Sequence, residues 1–265
     1  MVDLKKEDYH WEKISLNGTI PSWSDLINFL AYYEKISMKV ASLFSGGKDS
    51  TYATFVAMQR GWDVKYLITL VPERSDSWMF HYPCVELTKL QAKAMGIRHV
   101  YMKTSGVKEK ELEDLKRALS IVKDEIEGVV CGAVASEYQK HRIDMVCEEL
   151  GLRSFAPLWH KDPEKLLMEE VNLGFEIMLT SVSCDGLSKE WVGKVLDQKS
   201  VKRLLELSKK YRFNPAGEGG EFESFVLNCP IFNRRIEFPE FEVVWDDSTN
   251  SGFVRLAKDL SSSKL

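Results

Sequence analysis

Apolar and polar positions follow two different rhythms along this chain, and the change falls near residues 155–165. In the first stretch, short apolar runs predict strands at Val40–Phe44, Val64–Val71, His99–Met102 and Gly128–Val134. Helical spacing fills the gaps, over 49–60, 84–95 and about 137–150, with Gly61, Gly96 and Gly151 as stops. The clearest helical period precedes the fourth strand, where Leu112, Leu115, Leu119, Val122 and Ile126 share one face. Repeated βα units predict an α/β fold, a parallel sheet with helices on both faces. After Trp159 the rhythm loosens. Asp162-Pro163 opens a helix to Leu173, Phe175–Ser183 reads as a strand, and Ser200–Tyr211 as a helix. Strands at Phe222–Leu227, Arg235–Phe238, Val243–Trp245 and Phe253–Ala257 complete a smaller α+β C-terminal domain. The expected division is an extension over 1–37, a first domain over 38–160 and a second over 161–260. Met38 reads as the natural start of the core. The extension carries one amphipathic helix through Trp23, Leu26, Ile27, Leu30 and Tyr33; it binds a partner, packs on the core, or has no dedicated role.

Composition narrows the class without naming a chemistry. An apolar share of 44% over 265 residues supports a sizeable core. The net charge of -4, from 36 basic and 40 acidic residues, argues against direct nucleic-acid binding along the backbone. Cys84, Cys131, Cys147, Cys184 and Cys229 form no C-x-x-C pair, which excludes a zinc knuckle or redox motif and fits a reducing compartment. No run of about 18 apolar residues predicts a membrane span. The first residues lack the apolar run of a secretory signal, so a cytoplasmic location is expected.

The chemistry is concentrated in Ser45-Gly46-Gly47-Lys48-Asp49-Ser50, between the first strand and its helix. Ligands of α/β proteins bind at the carboxyl ends of parallel strands. Glycines let a phosphate approach the backbone, helix amides supply donors, and Lys48, Ser45 and Ser50 add a cation and two hydroxyls. The turn is suited to a polyanion. It is not a Walker A loop: Ser42 stands where that motif has its first glycine, and Asp49 where it has Ser or Thr. Nor is it the G-x-G-x-x-G dinucleotide fingerprint.

This hexapeptide resembles the PP-loop of the N-type ATP pyrophosphatases, an adenine nucleotide alpha hydrolase-like fold. The resemblance implies that the loop holds the β and γ phosphates of ATP, with magnesium, while a substrate oxygen attacks the α phosphate. AMP and pyrophosphate are then the products. Asp49 either orients the loop or meets the metal, whose ligands stay unknown at this stage. A tRNA thiolase of this group would need a cysteine pair that is absent here. There is no N-terminal cysteine nucleophile of a glutaminase, so any ammonia must come from solution or from a partner.

Two further segments agree. Gly217-Glu218-Gly219-Gly220-Glu221-Phe222-Glu223-Ser224 is similar to the Gly-Glu-Gly-Gly-Glu-Tyr-Glu-Thr segment of the diphthine–ammonia ligases, with Phe222 and Ser224 as departures. Cys131-Gly132-Ala133, then Ser136, Tyr138, Gln139 and Arg142, is similar to that family's second run. The resemblance covers about residues 38–240. It implies ATP-dependent amidation of diphthine, a modified histidine on translation elongation factor 2, with ammonium as second substrate. Gly132, Ser136 and Arg142 are then expected beside the loop in the nucleotide site. Arg142 binds phosphate or carboxylate, or joins an ion pair on its helix. Glu218, Glu221 and Glu223 join Lys48 and Asp49 as candidate catalytic residues, handling the trimethylammonium group, ammonium or magnesium. His141 reads as a surface residue. Trp78, His81 and Tyr82 are either a lid over the adenine or loop packing. A homodimer is left open. Two alternatives remain at this stage: another PP-loop ligase or amidase acting on a small carboxylic acid, or a non-enzymatic ATP-binding sensor.

Overall fold

A computed structural model of the protein describes residues 37–72, 84–104 and 111–257. The candidate lid residues and the N-terminal extension lie outside the described residues. From Met38 onward the chain forms one compact unit.

Five short strands make the first sheet: β1 (Lys39–Leu43), β2 (Asp63–Pro72), β3 (Arg98–Thr104), β4 (Gly128–Val130) and β5 (Arg153–Phe155). Their order is β3-β2-β1-β4-β5, every pair parallel. The chain winds outward from β1 in one direction, then returns and winds out in the other. The switch point therefore lies between β1 and β4, the crevice where open α/β sheets bind ligands.

Alternation along the strands explains the two covered faces. Val40, Leu67 and Val130 join one apolar cluster, while their neighbours Ala41, Ile68 and Val129 join another. The first cluster takes residues of α1 (Lys48–Gln59) and α2 (Thr88–Met95); the second takes α3 (Glu111–Ser120) and α4 (Glu137–Glu149). Helix α1 lacks a polar face, because Thr51, Tyr52, Ala53, Thr54 and Ala57 are all buried.

The first cluster does not stop at this sheet. It continues through α5 (Pro163–Asn172), α6 (Gln198–Tyr211) and a four-stranded antiparallel sheet of order β7-β6-β9-β8. These strands are β6 (Glu176–Ser183), β7 (Phe222–Asn228), β8 (Phe241–Asp246) and β9 (Ser251–Leu256). The expected α/β sheet with a smaller α+β part is thus observed, and the two share one core. Capping is local and legible. Asp162 accepts the Lys165 amide ahead of Pro163, and Asp197 with Ser200 makes a reciprocal capping box at α6.

Several expectations need correction. Strand β4 ends at Val130 rather than Val134, because the chain leaves the sheet there to pass the start of α1. Helix α3 stops at Ser120, and Val122 and Ile126 complete its buried stripe from the turn beyond. Helix α2 starts at Thr88, after a single 3-10 turn at Val85–Leu87. Arg235–Phe238 is no strand, although Ile236 is buried and donates its amide to the Leu227 carbonyl at 2.7 Å. Strand β5 was not expected at all.

Candidate active site

The phosphate loop is fixed from three sides. Gly46 has φ +82, and a Cβ there would lie 2.4 Å from Gln91 Oε1, so glycine alone suits both its conformation and its neighbour. Its carbonyl accepts the Val226 amide at 3.0 Å and Gln91 Nε2 at 2.9 Å; the same Gln91 nitrogen also reaches the Val226 carbonyl at 2.8 Å. Helix α2 and strand β7 are thereby pinned to the loop. Inside it, the Ser45 and Ser50 hydroxyls lie 3.1 Å apart, and Ser50 and Thr51 both donate to the Gly47 carbonyl. The Lys48 amide donates to Ser224 Oγ at 3.1 Å, which satisfies one orphan donor of the first turn of α1.

Opposite, across the switch point, the segment after β4 runs against α1. A Cβ on Gly132 would sit 2.7 Å from the Ser50 nitrogen and 2.8 Å from the Asp49 carbonyl carbon. That close approach requires glycine at 132. Ser136 caps α4, accepting the Gln139 amide at 3.4 Å. Arg142 lies about one helical turn beyond Tyr138, its guanidinium 4.6 Å above the Tyr138 ring, and Tyr138 is 51% exposed. Gly132 is therefore at the loop itself, whereas Ser136 and Arg142 are engaged on α4.

Lys48 does not extend into solvent. It is 1% exposed, with Nζ 2.6 and 2.7 Å from the two carboxylate oxygens of Asp49. Burial acts to lower its pKa, but Asp49, Glu170 and Glu218 together leave it raised, so the lysine is a buried, charged cation. The three glutamates of the Gly-Glu segment have different surroundings. Glu218 accepts the Ala135 amide at 3.2 Å, and burial together with Asp49 raises its pKa. Glu223 is raised to about 7 by burial, against the pull of Lys48. Glu221 instead takes the Asn214 amide at 2.9 Å and the Gly219 amide at 2.7 Å, which occupies both of its oxygens with its own loop.

Two residues at this site, Gln91 and Glu170, lie outside the motifs of the sequence, and Ser224 stands in its motif only as a departure. Gln91 carries no signal that could single it out. Glu170 does leave a trace: with Leu166 and Leu167 it falls on the apolar stripe of α5, where a carboxylate is costly. It is fully buried, and neither oxygen has a hydrogen-bond partner among the described residues. Burial pushes its pKa up to about 8, with Lys48 opposing.

A doubly wound parallel sheet with this loop at its switch point defines a nucleotide-binding α/β protein of the PP-loop type. Comparison with known proteins carries the assignment to a family. Residues 38–154 match the family model described as the diphthamide synthase N-terminal domain, and residues 162–260 the diphthamide synthase C-terminal domain. The diphthine–ammonia ligase of Homo sapiens is 37% identical over 231 residues, 78% of this chain and 85% of that protein. Its namesake in Danio rerio is 34% identical over 244 residues, 83% of this chain and 95% of that one. The longer Schizosaccharomyces pombe protein is 37% identical over 225 residues, 37% of its own length. The chain belongs to the diphthine–ammonia ligase family of ATP-using, C–N bond-forming ligases. A solved U34-tRNA thiolase, NcsA from Methanococcus maripaludis, is similar at 11% identity and a TM-score of 0.36, over 73% of this chain and 76% of that one.

Proposed function

We propose that this enzyme converts diphthine on translation elongation factor 2 to diphthamide. The carboxylate oxygen of diphthine attacks the α phosphorus of ATP, pyrophosphate leaves, and an acyl-adenylate forms. Ammonia then attacks the acyl carbon, the bond to AMP breaks, and the amide remains. The observation that carries this reading is the meeting of the two family motifs at one residue. The Lys48 amide is held by Ser224 of the Gly-Glu segment, and its ammonium lies within the field of Glu218.

In this reading, Ser45, Gly46, Gly47, Lys48, Asp49 and Ser50 grip the leaving pyrophosphate, with Gly132 closing the opposite wall. Ser136 and Arg142 extend the nucleotide site along α4. Residues 38–160 act as the ATP-binding half and 161–260 as the substrate half. Glu223 suits the task of taking a proton from ammonium, since burial brings its pKa to about 7, close to working pH. Glu218 faces the cationic substrate groups, while Glu221 keeps the loop in shape.

Magnesium is proposed to accompany the nucleotide. No group of three or more His, Cys, Asp or Glu side chains among the described residues is arranged to hold a metal by itself. Magnesium prefers phosphate oxygens and water to an all-protein cage. Magnesium would neutralise charge developing on the departing phosphates. The described residues contain no helix long and apolar enough to cross a membrane; a cytoplasmic location, free ammonium as nitrogen source and a homodimer complete the proposal. The test is incubation with ATP, ammonium and elongation factor 2 bearing diphthine, followed by assay of AMP and the mass of the product. ADP in place of AMP, or a substrate of unchanged mass, would overturn it.

A further inference from the structure

Glu170 takes no part in the reaction outlined above, yet it is buried beside the loop. Its carboxylate accepts no hydrogen bond among the described residues. The charged groups that act on it are Lys48 and Asp49 of α1, Glu169 of its own helix, and Lys161 from the segment before α5. Tyr52 of α1 feels its charge as well. Lys161 is already held by Glu169 at 2.6 Å, and Tyr52 also bonds to Glu169. Lys48 is the donor that remains. An ammonium has three N–H groups, and both hydrogen bonds that the Lys48 ammonium makes among the described residues go to Asp49. A buried cation with an unused donor thus lies near a buried carboxylate that accepts nothing.

We propose that Glu170 is a positioning residue: it forms an inner seat for the Lys48 ammonium and competes for it with bound triphosphate. The inference rests on the nucleotide-binding role of the loop. Asp49 holds the lysine in the inner position, and Glu170 decides how firmly. While Glu170 carries a proton, Asp49 is the carboxylate bonded to the Lys48 ammonium, which leaves readily for a phosphate. Once Glu170 ionises, a further buried carboxylate holds the lysine back and ATP binds more weakly. The change centres on about pH 8. Lys48 keeps its own charge through that interval, because its pKa is raised. The folded-state value of Glu170 lies above that of an unfolded carboxyl. Its contribution to stability is therefore complete at acid pH and is lost as pH rises through about 8.

The experiment is calorimetric titration of the full chain with magnesium and an α,β-methylene ATP analogue, from about pH 6.5 to about pH 9.5. Wild type, E170Q, E170D, K48M and K48M/E170Q are compared. Wild-type Kd is expected to rise by up to about tenfold along the alkaline limb. E170Q should match wild type at the acid end and lack the rise through about pH 8, and E170D should restore that rise. K48M should bind weakly without a limb, and adding E170Q to it should change nothing further, because Glu170 acts through the lysine. Overturning results are an E170Q curve that follows wild type, or E170Q weakening binding equally at every pH with a lowered Tm. Wild-type binding that ignores pH overturns the seat alone. No wild-type binding at any pH overturns the nucleotide-binding reading with it.

Discussion

Two glycine-bearing loops meet at Lys48, and they are held together by different means. In the phosphate loop, backbone carbonyls and hydroxyls make the contacts: Gly46 to Val226 and Gln91, and Ser50 and Thr51 to Gly47. In the 214–224 loop carboxylates do that work, with Glu221 gathering the Asn214 and Gly219 amides and Glu218 reaching Ala135. The first loop keeps its backbone available to an anion and turns its cation inward. The second brings buried carboxylates into the field of that cation. Residue type alone would not separate Glu221 from Glu223: the first gives both oxygens to backbone amides, while the second is buried within the field of the lysine.

The sharpest way to break this division is Lys48→Ala. Pyrophosphate release should fall by roughly a thousandfold, in the upper range for loss of a charge-stabilising group. Release at the wild-type rate would contradict the ligase reading. Next in size is Glu223→Gln, expected to lower amidation about a hundredfold while ATP–pyrophosphate exchange persists. Wild-type amidation at fixed ammonium should climb as pH rises through about 7, when Glu223 ionises, and the variant should lose that limb. Stability moves in the opposite sense. A carboxyl raised by burial stabilises the fold at acid pH and ceases to do so as pH passes its folded value, so wild type should lose ground to the variant above about pH 7 in thermal melts.

Gly132→Ala tests the opposite wall. The new methyl group would meet helix backbone rather than a movable side chain, and an overpacking cost of about 1–3 kcal/mol is expected. Denaturant midpoints measure it, and an unchanged midpoint would show that the wall yields. Smallest is Ser224→Ala, which leaves the Lys48 amide without its hydroxyl partner and should cost about 1 kcal/mol, as helix caps do. Ser224→Thr should restore it.

Much of the fold was legible because buried parallel strands are apolar runs and the helices between them end in glycine. The helix predicted over 49–60 is observed at Lys48–Gln59. Strand β5 was not legible, since Arg-Ser-Phe at a sheet edge contains no apolar run. The length of β4 was hidden for another reason: the constraint that ends it comes from α1, a contact between distant parts of the chain. The same distance explains the site. A local motif announces the phosphate loop, but Gln91, Glu170 and Ser224 matter only through their neighbours in space. Ser136 and Arg142 are also placed by a motif, and in the structure one caps α4 and the other lies over the Tyr138 ring.

The hydrogen bond from the Lys48 amide to Ser224 joins residues 176 apart in the chain. During synthesis, the phosphate loop leaves the ribosome long before the strand that braces it. A nascent chain therefore carries the whole ATP motif without the means to shape it. By this geometry, the loop gains its brace only once β7 is in place.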